Sequence, residues 1–158
     1  MKLTEDEARR RLATAPVARL ATVAAARPAT ATAATAPAAA VVPHIIPVTF
    51  VLAGDRIFSA VDAKPKTTRQ LQRLRNIRAS PGVAVLADHY EETWDLLWWV
   101  RADGRAAILD DPDEMARPIR LLVARYAQYR ATPPDGPVIS IRVERWTGWA
   151  AASPGPTR

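Results

Sequence analysis

The residues best suited to chemistry lie in one short stretch, SAVDAKPKTTR at positions 59–69. Lys64 and Lys66 flank Pro65 and are followed by the hydroxyls of Thr67 and Thr68, ahead of a segment with helical apolar spacing. A helix N-terminus presents unpaired backbone N–H groups and the positive end of the helix dipole, so anions bind there readily. Thr67 or Thr68 is expected to cap that helix. Two of the three lysines fall here, although arginine numbers 19 in the chain. Together these features point to a phosphate-binding segment. A solvated basic helix face would show the same spacing, and Asp62 beside it would then simply hold Lys64 or Arg69.

Other polar residues carry less. His44 lies in an apolar run with no partner in view. His89 and Tyr90 precede the acidic run EETWD at 91–95, which reads as a solvated loop or a weak cation loop. Trp98 and Trp99 are adjacent and should point to opposite faces of a strand, one filling the core and the other covering a cofactor or a partner. Trp146 and Trp149 flank Gly148, where closure of the core is the default role. No Ser/His/Asp set and no paired carboxylates are visible. A phosphate clamp without catalytic side chains implies that any reactive group belongs to a bound cofactor, with the protein supplying binding, orientation and electrostatics.

Composition narrows the classes further. The chain has 158 residues, no cysteine and two histidines. Disulfide scaffolds, thiolate metal sites and cysteine nucleophiles are excluded, and a histidine-rich metal site is disfavoured. The length suits one domain with its own core. No apolar run approaches the roughly 20 residues of a membrane span. The start, MKLTEDE, has no signal-peptide core, so a cytoplasmic protein is expected. Lys64, Lys66, Arg69, Arg73, Arg75 and Arg78 lie close together with no acid among them. The other 16 basic residues balance the 16 acidic ones, so the whole net charge of +6 sits in that segment. One such patch suits a small anionic ligand, or a nucleic acid held by the basic helix.

The elements that must position these residues follow from the pattern. Thr4 and Glu7 form a capping box for a helix to about Ala13. Strands are expected at 17–24, 41–52, 56–61, 83–88, 96–102, 105–109 and 138–146. The strand at 41–52 contains Pro43 and Pro47 and should be an edge or bulged strand. Turns are expected at 53–55 and at Asp103-Gly104. Leu71, Leu74 and Ile77 give a narrow apolar stripe to a helix ending near Ala79, with Arg69, Arg73 and Arg75 facing elsewhere. A third helix at 111–130 contains Pro118, where it should kink or restart. Residues 24–40 are almost entirely Ala, Thr and Pro and read as a long disordered insertion. The C-terminal stretch 150–158 reads as a loose tail behind a single domain, 1–149. About six or seven strands joined by hairpins, with two or three helices, favour a mainly β fold with α, an antiparallel sheet closing into a barrel.

Four stretches carry a resemblance to a known family. They are ARLATV at 18–23 with PHIIPVTF at 43–50, KPKTTRQLQRLRNI at 64–77, LWWVRADG at 97–104, and VERWTGW at 143–149. The chain resembles the pyridoxamine 5′-phosphate oxidase-like split β-barrel superfamily, and within it the flavin/deazaflavin oxidoreductases that use coenzyme F420. The resemblance implies a six-stranded antiparallel split barrel (the FMN-binding split barrel) with flanking helices. It implies a homodimer with two cofactor sites at the subunit interface, and Trp98 or Trp99 near it. Lys64 and Lys66, helped by Thr67 and Thr68, would hold the cofactor phosphate. Pro47, Val48, Thr49, Ser59, Ala60 and Val61 would line the flat ring system. The implied chemistry is hydride transfer from reduced coenzyme F420 to a small organic substrate. FMN or a haem-type tetrapyrrole on the same fold is the alternative.

Overall fold

A computed structural model describes residues 1–24, 42–61 and 71–151 of the chain. The expected insertion at 24–40, apart from Ala24 itself, and the phosphate segment Lys64, Lys66, Thr67 and Thr68 lie outside the described residues, as does the tail from 152.

The chain opens with helix α1 (Glu5–Thr14), capped as expected. Thr4 Oγ1 accepts from the Glu7 backbone N–H at 3.3 Å, and the Glu7 carboxylate accepts from Thr4 N–H at 3.1 Å. The Thr4 backbone N–H first, and then the Thr4 hydroxyl, which donates to the same carboxylate at 3.0 Å, hold the Glu7 carboxyl below its ordinary value of 4.5. Ala8 and Leu12 are the inward face of this helix.

Seven strands follow: β1 (Ala18–Val23), β2 (Pro43–Val48), β3 (Val51–Ala53), β4 (Arg56–Ala60), β5 (Gly82–His89), β6 (Trp98–Leu109) and β7 (Val138–Ala150). They form one antiparallel sheet in the order β2-β1-β5-β6-β7-β4-β3. The two edge strands, β2 and β3, are consecutive in the chain and separated only by Thr49 and Phe50. In a flat sheet six steps of about 4.8 Å would put the edges about 29 Å apart. Three residues reach only about 10 Å. The sheet must therefore curl until its edges meet. The single strand expected at 41–52 is instead two, β2 paired with β1 and β3 paired with β4, interrupted at Thr49-Phe50. Counted together they give the six of the expected split barrel, and the place of β2 at the edge accommodates Pro43 and Pro47.

Two expectations are corrected along β6. The strand pair at 96–102 and 105–109 is one continuous strand, and Asp103-Gly104 is no turn. The register against β7 shifts at this point, a bulge. A Cβ on Gly104 would lie 2.2 Å from the Arg142 carbonyl oxygen, so glycine is required there by close approach of β7. The other turn holds: Gly54 has φ 64° in the tight loop joining β3 to β4. Upstream of β6, Trp94–Leu96 form a 3-10 turn rather than the start of the strand.

Helix α2 (Gln72–Ala79) starts later than expected. Its N-cap is Leu71, with no side-chain cap; the expected caps Thr67 and Thr68 lie outside the described residues. Leu71 is drawn inward with the core, and its carbonyl accepts from Leu74 and Arg75. Helix α3 (Pro112–Arg125) begins at the Asp111 cap and runs through Pro118 without restarting there. It breaks instead at Tyr126, and α4 (Ala127–Ala131) follows.

One hydrophobic cluster fills the barrel, with Leu12, Leu20, Phe50, Ile57, Val85, Val100 and Ile141 among its buried members. A second lies outside it, where Leu122 and Tyr129 of α3 and α4 pack on Phe58, Ala60 and Val138. That second layer is why β7 does not alternate at its start: Val138 through Ile141 are all buried, Ser140 included. β7 also runs to Ala150, past the expected end at Trp146.

Candidate functional site

The barrel's seam opens into a cleft with a polar side. β2 leaves β1 after the Ala18–Val48 pair. Its continuation joins β4 only at the Val51–Phe58 pair. Thr49 and Phe50 between them belong to neither ladder. Extending the β3–β4 register would set Phe50 opposite Ser59 and Thr49 opposite Ala60, but the strands have parted there. The gap forms a cleft of about 370 Å³ lined by Val17, Ile46, Pro47, Val48, Thr49, Ser59, Ala60 and Arg73. That volume falls within the roughly 300–1,000 Å³ of small-molecule sites.

The unladdered segment is held by tyrosines. The Phe50 backbone N–H donates to Tyr126 Oη at 3.0 Å, and Tyr126 Oη lies 2.9 Å from the Phe50 carbonyl and 3.0 Å from that of Pro16. Thr49 Oγ1 and Tyr129 Oη are 2.7 Å apart. Arg125 bonds the Ala15 carbonyl and lies over the Phe50 ring at 4.6 Å. The break between α3 and α4 thus brings three side chains onto the seam.

The expected ring-lining residues Pro47, Val48, Thr49, Ser59 and Ala60 come together in this cleft. Val61 does not line it; its N–H donates to Pro137 at 3.1 Å and its side chain packs on the barrel core. The sequence pattern places Arg73 on a basic helix face turned elsewhere. It lies instead on the cleft, because Leu74 and Ile77 take the inward side of α2 and rotate the preceding residue to the seam. The tyrosines went unremarked in the sequence; the clue was two tyrosines three apart at a helix break, with the partners hidden in a distant strand.

Helix α2 is anchored by a polar chain. Asn76 donates to Thr22 Oγ1 at 2.9 Å and accepts from Gln72 at 2.7 Å, and Thr22 and Asn76 are both buried. Thr22 reaches the His44 carbonyl at 3.4 Å. The helix carrying Arg73 is thereby tied to β1 and β2, which form the other wall.

The remaining candidates fall elsewhere. His44 is half-buried with no partner at Nδ1. His89 Nε2 lies 3.2 Å from Glu91 on the exposed side of the barrel. No cluster of three metal-ligating side chains occurs among the described residues. Trp98 packs on the core, whereas Trp99 faces outward. A broad groove of about 620 Å³ crosses that outer sheet face, with Ile45, Leu86 and Trp99 in it and the Arg19–Asp88 ion pair and Arg101 alongside. No helix among the described residues is long and apolar enough to cross a membrane.

The fold has many solved counterparts. A conserved hypothetical protein from Mycobacterium tuberculosis superposes with TM-score 0.68 at 19% identity, over 94% of this chain and 86% of that one. A FAD-binding protein from Mesorhizobium loti gives 0.63 at 18%, over 94% and 95%. HutZ, the haem storage protein of Vibrio cholerae, gives 0.64 at 15%, over 92% and 93%. At such identities the likeness is one of fold. No curated protein matches the sequence. The sequence pattern of the pyridoxamine 5′-phosphate oxidase family matches residues 4–150, which spans every element from the first helix cap to the last strand, and the chain belongs to that family.

Proposed function

We propose that the seam cleft binds a flavin-type cofactor and that the protein is an oxidoreductase. The cofactor we favour is coenzyme F420, with FMN as the alternative. The observation that carries this reading is the cleft itself: an apolar wall of Val17, Ile46, Pro47 and Val48 faces the hydroxyls of Thr49 and Ser59, with Arg73 beside them. Such a surface suits a flat heteroaromatic ring attached to an anionic group. The match to the oxidase family supports it, as does the FAD-binding protein among the structural counterparts.

In this reading Pro47 and Val48 pack on the ring, Thr49 and Ser59 meet its polar edge, and Arg73 joins Lys64 and Lys66 around the phosphate. Reduced coenzyme F420 supplies a hydride for a small organic acceptor. The protein's part is to align donor and acceptor and to exclude water. Two copies would pack as a homodimer through the outer groove around Trp99, whose Ile45 is 63% exposed in the single chain.

The test is titration of the purified protein with oxidised coenzyme F420 and, separately, FMN, followed by fluorescence. Saturable binding of the deazaflavin in preference to FMN supports the full reading, and preference for FMN moves the protein to the alternative. Binding of neither overturns it and makes haem the next ligand to try. Lys66→Ala should weaken cofactor binding by about 1.5–3 kcal/mol, the scale of a charged hydrogen bond. Unchanged affinity would show that the phosphate lies elsewhere.

A further inference from the structure

We infer that Tyr129 is a positioning residue for the seam cleft: through its phenol it sets the Thr49 hydroxyl as the fixed hydrogen-bonding group that reads the polar edge of the bound ring. The inference rests on the cofactor reading above and adds a residue to it that touches neither ring nor phosphate.

The argument starts from the backbone. Thr49 is one of two residues that neither ladder holds. A threonine in such a position ordinarily turns its hydroxyl onto nearby backbone groups. Here the hydroxyl is taken by a side chain 80 residues away, 2.7 Å from Tyr129 Oη. Tyr129 itself cannot swing. It is 8% exposed and packed among Phe58, Ala60, Leu122 and Val138. Its ring also meets that of Tyr126 edge-on, with centroids 5.7 Å apart at 72°.

The two phenols divide the seam between them. Tyr126 serves the backbone of Phe50. Tyr129 reaches the side chain of Thr49 rather than its backbone. A hydroxyl has one donor and two acceptor positions. With one engaged by Tyr129, the rest of Thr49 Oγ1 stands at the wall of the cleft in a single place. A ring with carbonyl and N–H groups along its edge is oriented by such a group, because only one seating satisfies it.

A double-mutant cycle on cofactor binding tests this. Tyr129→Phe, Thr49→Val, Thr49→Ser and the Tyr129→Phe/Thr49→Val double variant are titrated with oxidised coenzyme F420 and with FMN, and the absorption spectrum of the bound cofactor is recorded. Each of the two single variants, Tyr129→Phe and Thr49→Val, should raise Kd about 3- to 10-fold, the range of one neutral hydrogen bond. Both should shift the bound absorption band, the double variant should be no worse than either single, and Thr49→Ser should bind like the wild type. A merely structural tyrosine would lower the melting temperature and leave the spectrum of the bound cofactor unmoved. Wild-type affinity and spectrum in Tyr129→Phe overturn the inference while the cofactor reading stands. Failure of the wild type to bind either cofactor overturns both. If Tyr129→Phe does not fold, the threonine variants decide: wild-type binding by Thr49→Val refutes the role given to its hydroxyl, and loss in Thr49→Val with retention in Thr49→Ser supports it.

Discussion

Tyr126→Phe removes a single oxygen atom from the point where the two edges of the sheet meet. That oxygen accepts from the Phe50 N–H at 3.0 Å, and its own proton is shared between the carbonyls of Phe50 and Pro16 at 2.9 and 3.0 Å. Phe50 is completely buried, and no ladder supplies a substitute partner. A buried donor left unpaired costs about 1–3 kcal/mol, and a lost neutral bond to a carbonyl about 1 kcal/mol. The Pro16 side is open to solvent, which lets water replace part of the second contribution. The expected loss is therefore about 2–3 kcal/mol. For a chain of this size each kcal/mol lowers the melting temperature by about 2–4 °C, so a fall of about 4–12 °C is expected. Urea unfolding should show the midpoint falling with an unchanged slope, because the folded state keeps its compactness. A loss below about 0.5 kcal/mol, the range of an ordinary surface change, would refute the argument and show that the Phe50 backbone is solvated. A changed slope would refute it differently, by showing that the seam opens in the native state.

Two further predictions concern the frame. Gly104→Ala places a Cβ 2.2 Å from the Arg142 carbonyl oxygen and 3.0 and 3.1 Å from the Arg142 carbonyl carbon and Val143 Cα, all β7 backbone, so this ladder must part locally; a loss of at least about 3 kcal/mol is expected in urea unfolding, and a variant within about 0.5 kcal/mol of wild type contradicts it. Glu7 has its carboxyl held low by the Thr4 hydrogen bonds. Its contribution is complete above the ordinary carboxyl value and lost as pH falls through the lower folded value. The stability gap between wild type and Glu7→Gln should be widest near neutrality and close in acid; a gap independent of pH would show that the capping box does not depend on the charge.

Much of the frame was legible because it is written locally. The Thr4–Glu7 box, the Gly54 hairpin, the Leu74 and Ile77 face and the strand runs need only near neighbours. The errors arose where distant strands decide. Asp103-Gly104 has the composition of a turn, but its glycine answers to Arg142, nearly forty positions on. The run at 41–52 looks like one strand, yet it holds two, β2 and β3, and nothing local says that they serve opposite edges of the sheet. Thr67 and Thr68 look like caps, but α2 takes Leu71, which packs against the core, as its N-cap. The cleft was readable in part: Pro47, Val48, Thr49, Ser59 and Ala60 were named through a resemblance, whereas Arg73 depends on the rotation of α2 and the tyrosines on a helix break that Pro118 disguised.

Joining both edges of the sheet through Thr49-Phe50 has a consequence for solubility. An open edge strand is a template for pairing with other chains, and proteins protect edges with prolines, short strands or cover. Here β2 carries Pro43 and Pro47 and β3 is only three residues long, so each edge is a poor template. Closure of the barrel also turns the two edges toward each other. Loosening the seam would uncover both at once, next to the exposed apolar face of Ile45. Variants that weaken the tyrosine clamp should for that reason lose soluble yield in warm expression before they lose secondary structure, and a bound ligand in the cleft would protect against aggregation by holding the same two strands together.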